Sequence, residues 1–307
     1  MYLISDIEKP EEPSQKEWQR VGKEIYKAFS DIGFVYLTNH GIPRWKTGFR
    51  QVDEINQLSG KFFELERSKK MKYQRVKHIS QGYTAPNQER LSDNKRAMEI
   101  RESYDIQTVD AMMPDEEVAQ LRPRVKVLVE DCCRLTTRFL TAMAVGLEMD
   151  PSYFVDCHQE LCTFNNATAM RLLYYPPVSS DTPPASTRTA PHTDYGTITF
   201  LFQDDIGGLE VRDRDNAWVS ASPLPDTILV NVGDILQFWT ADKFPATEHR
   251  VLIPEEELKR KVVRRSLVFF IHPDDPTVIK PLDGSTTYSP ITARQHVNNR
   301  FDETFQL

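Results

Sequence analysis

A mainly β core flanked by helices is the fold this chain predicts, and two features of its 307 residues carry the prediction. From about residue 168 onward, short runs of β-branched and aromatic residues follow one another closely, separated by turn residues such as Gly207-Gly208 and Gly233-Asp234. Many short strands with closely spaced turns make a β-sandwich, jelly roll or barrel. Before that point apolar residues recur every three or four positions, the period of a helix with one buried face.

Taken in order, Ser14 and Glu17 have the spacing of a capping box, and Trp18, Val21, Ile25 and Phe29 follow on one face until Gly33 ends the helix. Residues 34–37 read as a strand. A long amphipathic helix is expected over 123–147, with Val125, Leu128, Cys132, Leu135, Phe139 and Met143 on its buried face and Pro123 in its first turn. Strands are then expected at 170–175, 196–202, 209–212, 218–221, 228–232, 235–240, 249–253 and 262–272, and Ser289-Pro290 opens a closing helix. The connector 176–191 is rich in Pro, Ser and Thr, so it reads as a mobile surface loop and, because it abuts His192, as a candidate flap. With no internal repeat or linker, the expected organisation is a helical N-terminal region, 1–165, packed on a core formed by 166–307.

Composition narrows the class. Apolar residues at 39% and charged residues at 27% argue against a disordered or fibrous chain. With 38 basic and 45 acidic residues, the net charge of −7 gives no general attraction to nucleic acid or anionic membrane. The four cysteines, two of them adjacent at Cys132 and Cys133, form no disulfide framework and read as free thiols in a reducing compartment. Neither a signal peptide nor an apolar run approaching the ~20 residues of a membrane span is visible. The expectation is a cytoplasmic protein that acts on a small molecule, with no nucleic acid, membrane or obligate protein partner.

The sharpest local signal is His192-Thr-Asp194 at the edge of a strand. Residues two apart on a strand point the same way, so both side chains can reach one ion. His249 opens a later strand and offers a second imidazole. Two imidazoles and one carboxylate occupy one face of an octahedral metal and leave the other positions open, which suits Fe(II) that must bind a co-substrate and O2 together. A zinc hydrolase can use the same donors, and His-x-Asp alone is a weak motif. A second feature comes from the run 262–272, where Arg264, Ser266, Val268 and Phe270 share one face. An arginine on the inner face of an apolar strand needs an anionic partner. That partner is either a structural acid or a bound carboxylate gripped by the guanidinium and the Ser266 hydroxyl, with Phe270 as an apolar wall of the substrate pocket. Glu255, Glu256 and Glu257 precede Lys259, Arg260 and Lys261, so each acid has a base four residues later and the run reads as an exposed helical turn.

At this point the motifs resemble a known family. His192-Thr-Asp-Tyr-Gly-Thr-Ile-Thr-Phe-Leu-Phe-Gln-Asp204, Gly207-Gly-Leu-Glu-Val211, Asn231-Val-Gly-Asp234, His249-Arg-Val251 and Arg264-Arg-Ser266 look like the iron-binding core of 2-oxoglutarate-dependent dioxygenases, in particular the isopenicillin N synthase-like branch. Gly33-Phe34, Asn39-His-Gly-Ile-Pro43, Phe62-Phe63, Gly82-Tyr83 and Glu102-Ser-Tyr-Asp105 resemble that branch's N-terminal extension, so the resemblance spans nearly the whole chain. It implies a distorted double-stranded β-helix, a jelly roll, between an N-terminal helical extension and a C-terminal helix. It also implies Fe(II) on His192, Asp194 and His249, and 2-oxoglutarate on Arg264 and Ser266 with help from Tyr175. O2 would be the second co-substrate and ascorbate the candidate reductant. His40, in the Asn-His-Gly stretch, is structural on this reading. Leu173 stands where many plant relatives carry asparagine. The implied activity is oxidation of a small-molecule C–H bond (hydroxylation, desaturation or ring closure) with formation of succinate and CO2. The competing readings are an iron oxidase that draws all electrons from its substrate, a catalytically silent binding protein on the same scaffold, and a hydrolase.

Overall fold

The computed structural model describes residues 2–4, 13–42, 51–91, 98–179, 182, 186–256 and 260–305. Two sheets face each other across a cavity. The large one orders β1 (Tyr2–Ile4), β2 (Phe34–Leu37), β10 (Ile228–Val232), β7 (Ile198–Gln203), β12 (Arg264–Ile271), β5 (Ala169–Tyr175), β4 (Glu102–Ile106) and β3 (Gly82–Thr84). The small one orders β6 (Thr189–His192), β11 (His249–Val251), β8 (Leu209–Arg212) and β9 (Trp218–Ser220). β1 and β2 run parallel and the other neighbours antiparallel, as in a jelly roll. The segment before residue 166 thus supplies four of the eight strands of the large sheet, as well as the helices that cover it. The segment is mainly helical, as read, but it also contributes β1, β3 and β4, which the sequence did not announce: β3 and β4 are too short and too polar to stand out as strands.

The two-residue period of β12 divides the molecule. Leu267, Phe269 and Ile271 point outward into the main apolar core, while Arg264, Ser266, Val268 and Phe270 point inward to the cavity. Helices close the outer face: α1 (Gln15–Asp31), α2 (Gln51–Phe63) and α4 (Leu121–Gly146), with single turns α3 (Arg67–Lys70) and α5 (Tyr153–Asp156) beside them. The Ser14–Glu17 capping box forms as expected at the start of α1. Phe29 of α1 meets Phe139 of α4 at 5.7 Å between ring centroids, and Phe139 in turn meets Phe200 of β7 at 6.1 Å. Each fully buried ring is worth ~1.5–3 kcal/mol of burial, so this ladder ties the helical layer to the sheet that carries the site. Where α1 crosses α4, a Cβ on Gly22 would meet the backbone nitrogen of Gly146 at 2.7 Å, so only glycine permits that approach.

Three sequence expectations need correction. Residues 235–240 are not a strand: α6 (Asp234–Trp239) follows Gly233 and buries Ile235, Leu236 and Trp239, an i, i+1, i+4 pattern that a short apolar run does not distinguish from a strand. The closing helix, α7 (Ala293–Thr304), begins later than Ser289-Pro290, at a capping box between Thr292 and Gln295. The end of the 176–191 connector is not loop, because Thr189–His192 is β6 and Arg188, Thr189 and Ala190 are buried. Residues 180, 181 and 183–185 lie outside the described residues, and with them the middle of the candidate flap; so do 257–259 of the expected helical turn. No helix among the described residues is long and apolar enough to cross a membrane.

Candidate metal centre

The cavity opens between the sheets, and a bulge sets its first ligand. His192 pairs with His249 and Thr189 with Val251, so three steps along β6 match two along β11. The extra residue brings Thr189 and His192 to the same side, and both line the cavity. Pro191, which lacks an N–H, is tolerated in such an irregular edge strand.

Beyond β6 the chain turns so that Asp194 joins the two histidines. His192 Nε2 and His249 Nε2 each lie 3.8 Å from Asp194 Oδ1, and one donor atom from each of the three residues falls within 4.8 Å of the others. The remaining atoms of these side chains are already engaged. Nδ1 of His192 donates to the Ala190 carbonyl at 2.9 Å and Nδ1 of His249 to that of Thr247 at 3.1 Å, which leaves each Nε2 with its lone pair toward the cluster. Asp194 Oδ2 accepts from Asn231 Nδ2 at 2.7 Å, which frees Oδ1. Burial pushes the Asp194 carboxyl up, but the two imidazoles and the hydrogen bonds from Asn231 and Thr199 outweigh it and hold the group below its ordinary value. Burial, and then the His249 imidazole, pull His192 well below the usual histidine value. A carboxylate and two neutral imidazoles are the donor set a divalent cation requires, so these residues fit Fe(II).

A second group of atoms awaits a partner on the large sheet. Arg264 is buried; its Nε donates to the Gly207 carbonyl at 2.9 Å, but Nη1 has no hydrogen-bond partner among the described residues, and neither does Ser266 Oγ. Tyr175 sits opposite Arg264 in register, its ring centroid 4.7 Å from the guanidinium carbon and its hydroxyl 3.3 Å from Thr189 Oγ1. Unpartnered buried donors beside a metal cluster suit the distal carboxylate of 2-oxoglutarate. Phe270 lies farther along the same face, its ring 5.2 Å from the Arg171 guanidinium.

The structure brings all seven sequence-predicted residues, His192, Asp194, His249, Arg264, Ser266, Tyr175 and Phe270, to this one cavity. His40 lines a different cleft, with its Nδ1 accepting from the Ile42 N–H at 3.3 Å. Sequence reasoning missed the wall facing Phe270. There Arg171 binds both Asp105 and Glu89, while Arg101 pairs with Glu89 and Glu99. These look like ordinary surface charges along the chain; the pairing of β4 with β5 sets Asp105 opposite Arg171, and the bridges Glu89–Phe305 and Glu99–Thr187 bring the rest inside. His272 and Tyr195 also line the cavity without having been singled out as site residues. For Asn231 the Asn-Val-Gly-Asp stretch was the available signal.

These features have counterparts in known proteins. The profile of the 2OG-Fe(II) oxygenase superfamily matches residues 166–273, and that described as non-haem dioxygenase in morphine synthesis N-terminal matches residues 4–125. The proline hydroxylase buaE of Petromyces alliaceus is 32% identical, over 85% of this chain and 83% of its own. The chain belongs to the 2OG-Fe(II) oxygenase superfamily. This oxygenase is also 30% identical to the 2-oxoglutarate-Fe(II) type oxidoreductase ppzD of Metarhizium rileyi, over 92% of this chain and 85% of the other. The crystal structure of a full-length Neurospora crassa protein in complex with alpha-KG (2-oxoglutarate) and thymine matches it with a TM-score of 0.84 and 27% identity, over 99% of this chain and 96% of that one. The oxygenase accordingly has the jelly-roll fold of the family and depends on Fe(II) and 2-oxoglutarate.

Proposed function

We propose that His192, Asp194 and His249 hold the iron, that Arg264 and Ser266 grip the distal carboxylate of 2-oxoglutarate with Tyr175 beside them, and that a small polar molecule is oxidised at the Phe270 end of the cavity. The observation that supports this most is the convergence, in one cavity, of three free metal-donor atoms with the partnerless donors of Arg264 and Ser266. Bound there, Fe(II) with 2-oxoglutarate and O2 supplies the oxidising power that converts a substrate C–H bond while succinate and CO2 are formed. The protein's part is geometric. The carbonyls of Ala190 and Thr247 fix both imidazole tautomers, and Asn231 fixes the carboxylate. Val268 and Leu201 form an apolar strip of the wall. Beyond that strip, Arg171, Arg101 and Glu89 offer hydrogen bonds to a polar substrate. Two of the relatives, the proline hydroxylase and the thymine-bound Neurospora protein, are named for or bind small polar molecules, which supports this reading.

The test is an anaerobic titration of the Fe(II)-loaded protein with 2-oxoglutarate, followed in the visible charge-transfer band, and then a screen of small polar compounds for perturbation of that band. A hit should give one succinate per product on admitting air. Absence of the band in iron-loaded protein, or product formed without succinate, refutes the assignment.

A further inference from the structure

Arg188, inside the segment that reads as loop, is fully buried at 0% exposure, and none of Nε, Nη1 and Nη2 has a hydrogen-bond partner among the described residues. Its backbone N–H is used, donating to the Val251 carbonyl at 3.1 Å and anchoring the start of β6, so the side chain is not needed for that contact. The guanidinium lies against the same ring as that of Arg264: the two carbons are 6.0 and 4.7 Å from the Tyr175 centroid. Burial, and then the Arg264 charge, lower Arg188 to about 10, so it remains a cation at neutral pH. One acid is felt by both, Asp204, and its oxygens already accept from the Arg265 and Ile206 N–H groups at 2.5 and 3.1 Å. Arg101 and Arg171, on the opposite wall, each have a carboxylate within ion-pair distance. Among the described residues, the shortage of negative charge is local to the Arg264 end.

We infer that Arg188 is a positioning residue for the co-substrate, whose charge, behind Tyr175 and beside that of Arg264, favours the distal carboxylate of 2-oxoglutarate. The inference rests on the co-substrate assignment above and extends it. Tyr175 and Thr189 line the cavity where Arg188 does not, so Arg188 acts as a positioning residue, through its charge and through the ring it shares with Arg264. A buried charge without a counter-ion is unfavourable until an anion arrives, so ligand-free protein carries a repulsion that 2-oxoglutarate relieves.

This gives a signature that a merely structural arginine does not produce. Melting temperatures of wild type, Arg188→Leu, Arg188→Gln and Arg188→Lys are measured with Mn(II), with and without 2-oxoglutarate, and the 2-oxoglutarate Kd is measured calorimetrically. The Leu and Gln variants should melt at or above wild type without co-substrate. They should lose most of the 2-oxoglutarate-induced shift and bind it roughly ten-fold more weakly, the effect of removing one buried charge that acts on the carboxylate without touching it, while the Lys variant keeps most of both. Wild-type affinity in the Gln variant overturns the inference, whether or not the Leu variant folds, as does a lowered ligand-free melting temperature combined with a full shift. Absence of any shift in wild type overturns the co-substrate reading itself, a different result from a shift that ignores residue 188.

Discussion

Replacing Asn231 with alanine removes its hydrogen bond to Asp194 and a longer one, 3.4 Å, to the Val232 carbonyl, without forcing a larger side chain into a buried site. The bond to Asp194 is 2.7 Å long, its carboxylate is 5% exposed, and its amide is 2% exposed. A hydrogen bond to a buried carboxylate contributes ~1.5–3 kcal/mol, and a tenfold change in affinity corresponds to ~1.4 kcal/mol. Iron affinity should therefore fall roughly 10- to 100-fold, the range typical when the partner of a metal-binding carboxylate is removed. The loss should sit toward the lower end, because Thr199 also hydrogen-bonds Asp194 and remains in place; the additional change Thr199→Val should carry it further. The assay is anaerobic competition for Fe(II) against a chromogenic chelator at pH 7, with the 2-oxoglutarate Kd measured separately at saturating metal. Metal affinity within two-fold of wild type refutes the claim that Asn231 orients a ligand. An equal loss of 2-oxoglutarate affinity at saturating metal refutes the separation of the two subsites.

Three further outcomes follow from the same geometry. His192→Ala and Asp194→Ala should each abolish iron retention and turnover, and Arg264→Ala should raise the 2-oxoglutarate requirement by ~100-fold or more while iron stays bound, which metal analysis and Kd measurements on the purified variants check. Glu89, which burial pushes up but Arg171, Arg101 and Arg75 hold down to about 2, contributes stability that is present above pH ~4.5 and lost as pH falls toward 2; Glu89→Gln strands buried guanidinium charge and should cost ~3–5 kcal/mol in urea unfolding at pH 7, a loss below ~1 kcal/mol contradicting the network. Burial lowers His158 to about 4, His272 to about 3 and His296 to about 4, so the unfolded chain binds protons below pH ~6.5 before the folded one does, and stability should fall from there toward pH 4 by ~1.4 kcal/mol per pH unit for each imidazole; a flat urea midpoint between pH 6.5 and 5 refutes this.

Legibility along the chain followed the range of the physics involved. His192 ends β6 and Asp194 lies past it where the chain turns, so the residue types and their closeness in sequence announce the pair, but strand period is not what brings them together. The inner face of β12, from Arg264 to Phe270, is legible because a single strand's two-residue period does set it. The bulge at Pro191 depends on how β6 pairs with β11, and nothing in residues 189–192 alone announces it. Arg188 was hidden by its neighbours: a Pro-, Ser- and Thr-rich stretch looks solvated, and its burial is decided by β5 and β11 folding over it. Residues 235–240 failed for another reason, since six apolar-rich residues fit either period until Gly233 is seen to cap a helix.

The two ends of the cavity differ in charge balance, and this accounts for how a dicarboxylate is oriented within it. Around Arg171 three guanidinium groups (Arg75, Arg101 and Arg171) face three carboxylates (Glu89, Glu99 and Asp105), linked in a closed set of ion pairs. An added anion there would have to displace an existing partner. Around Tyr175, among the described residues, two guanidinium groups share one occupied acid, so an added anion displaces none of their partners. On the proposed assignment, 2-oxoglutarate would present its distal carboxylate to Arg264. On the same proposal, the balanced end would take a polar substrate group whose hydrogen bonds can be met without uncovering a buried ion.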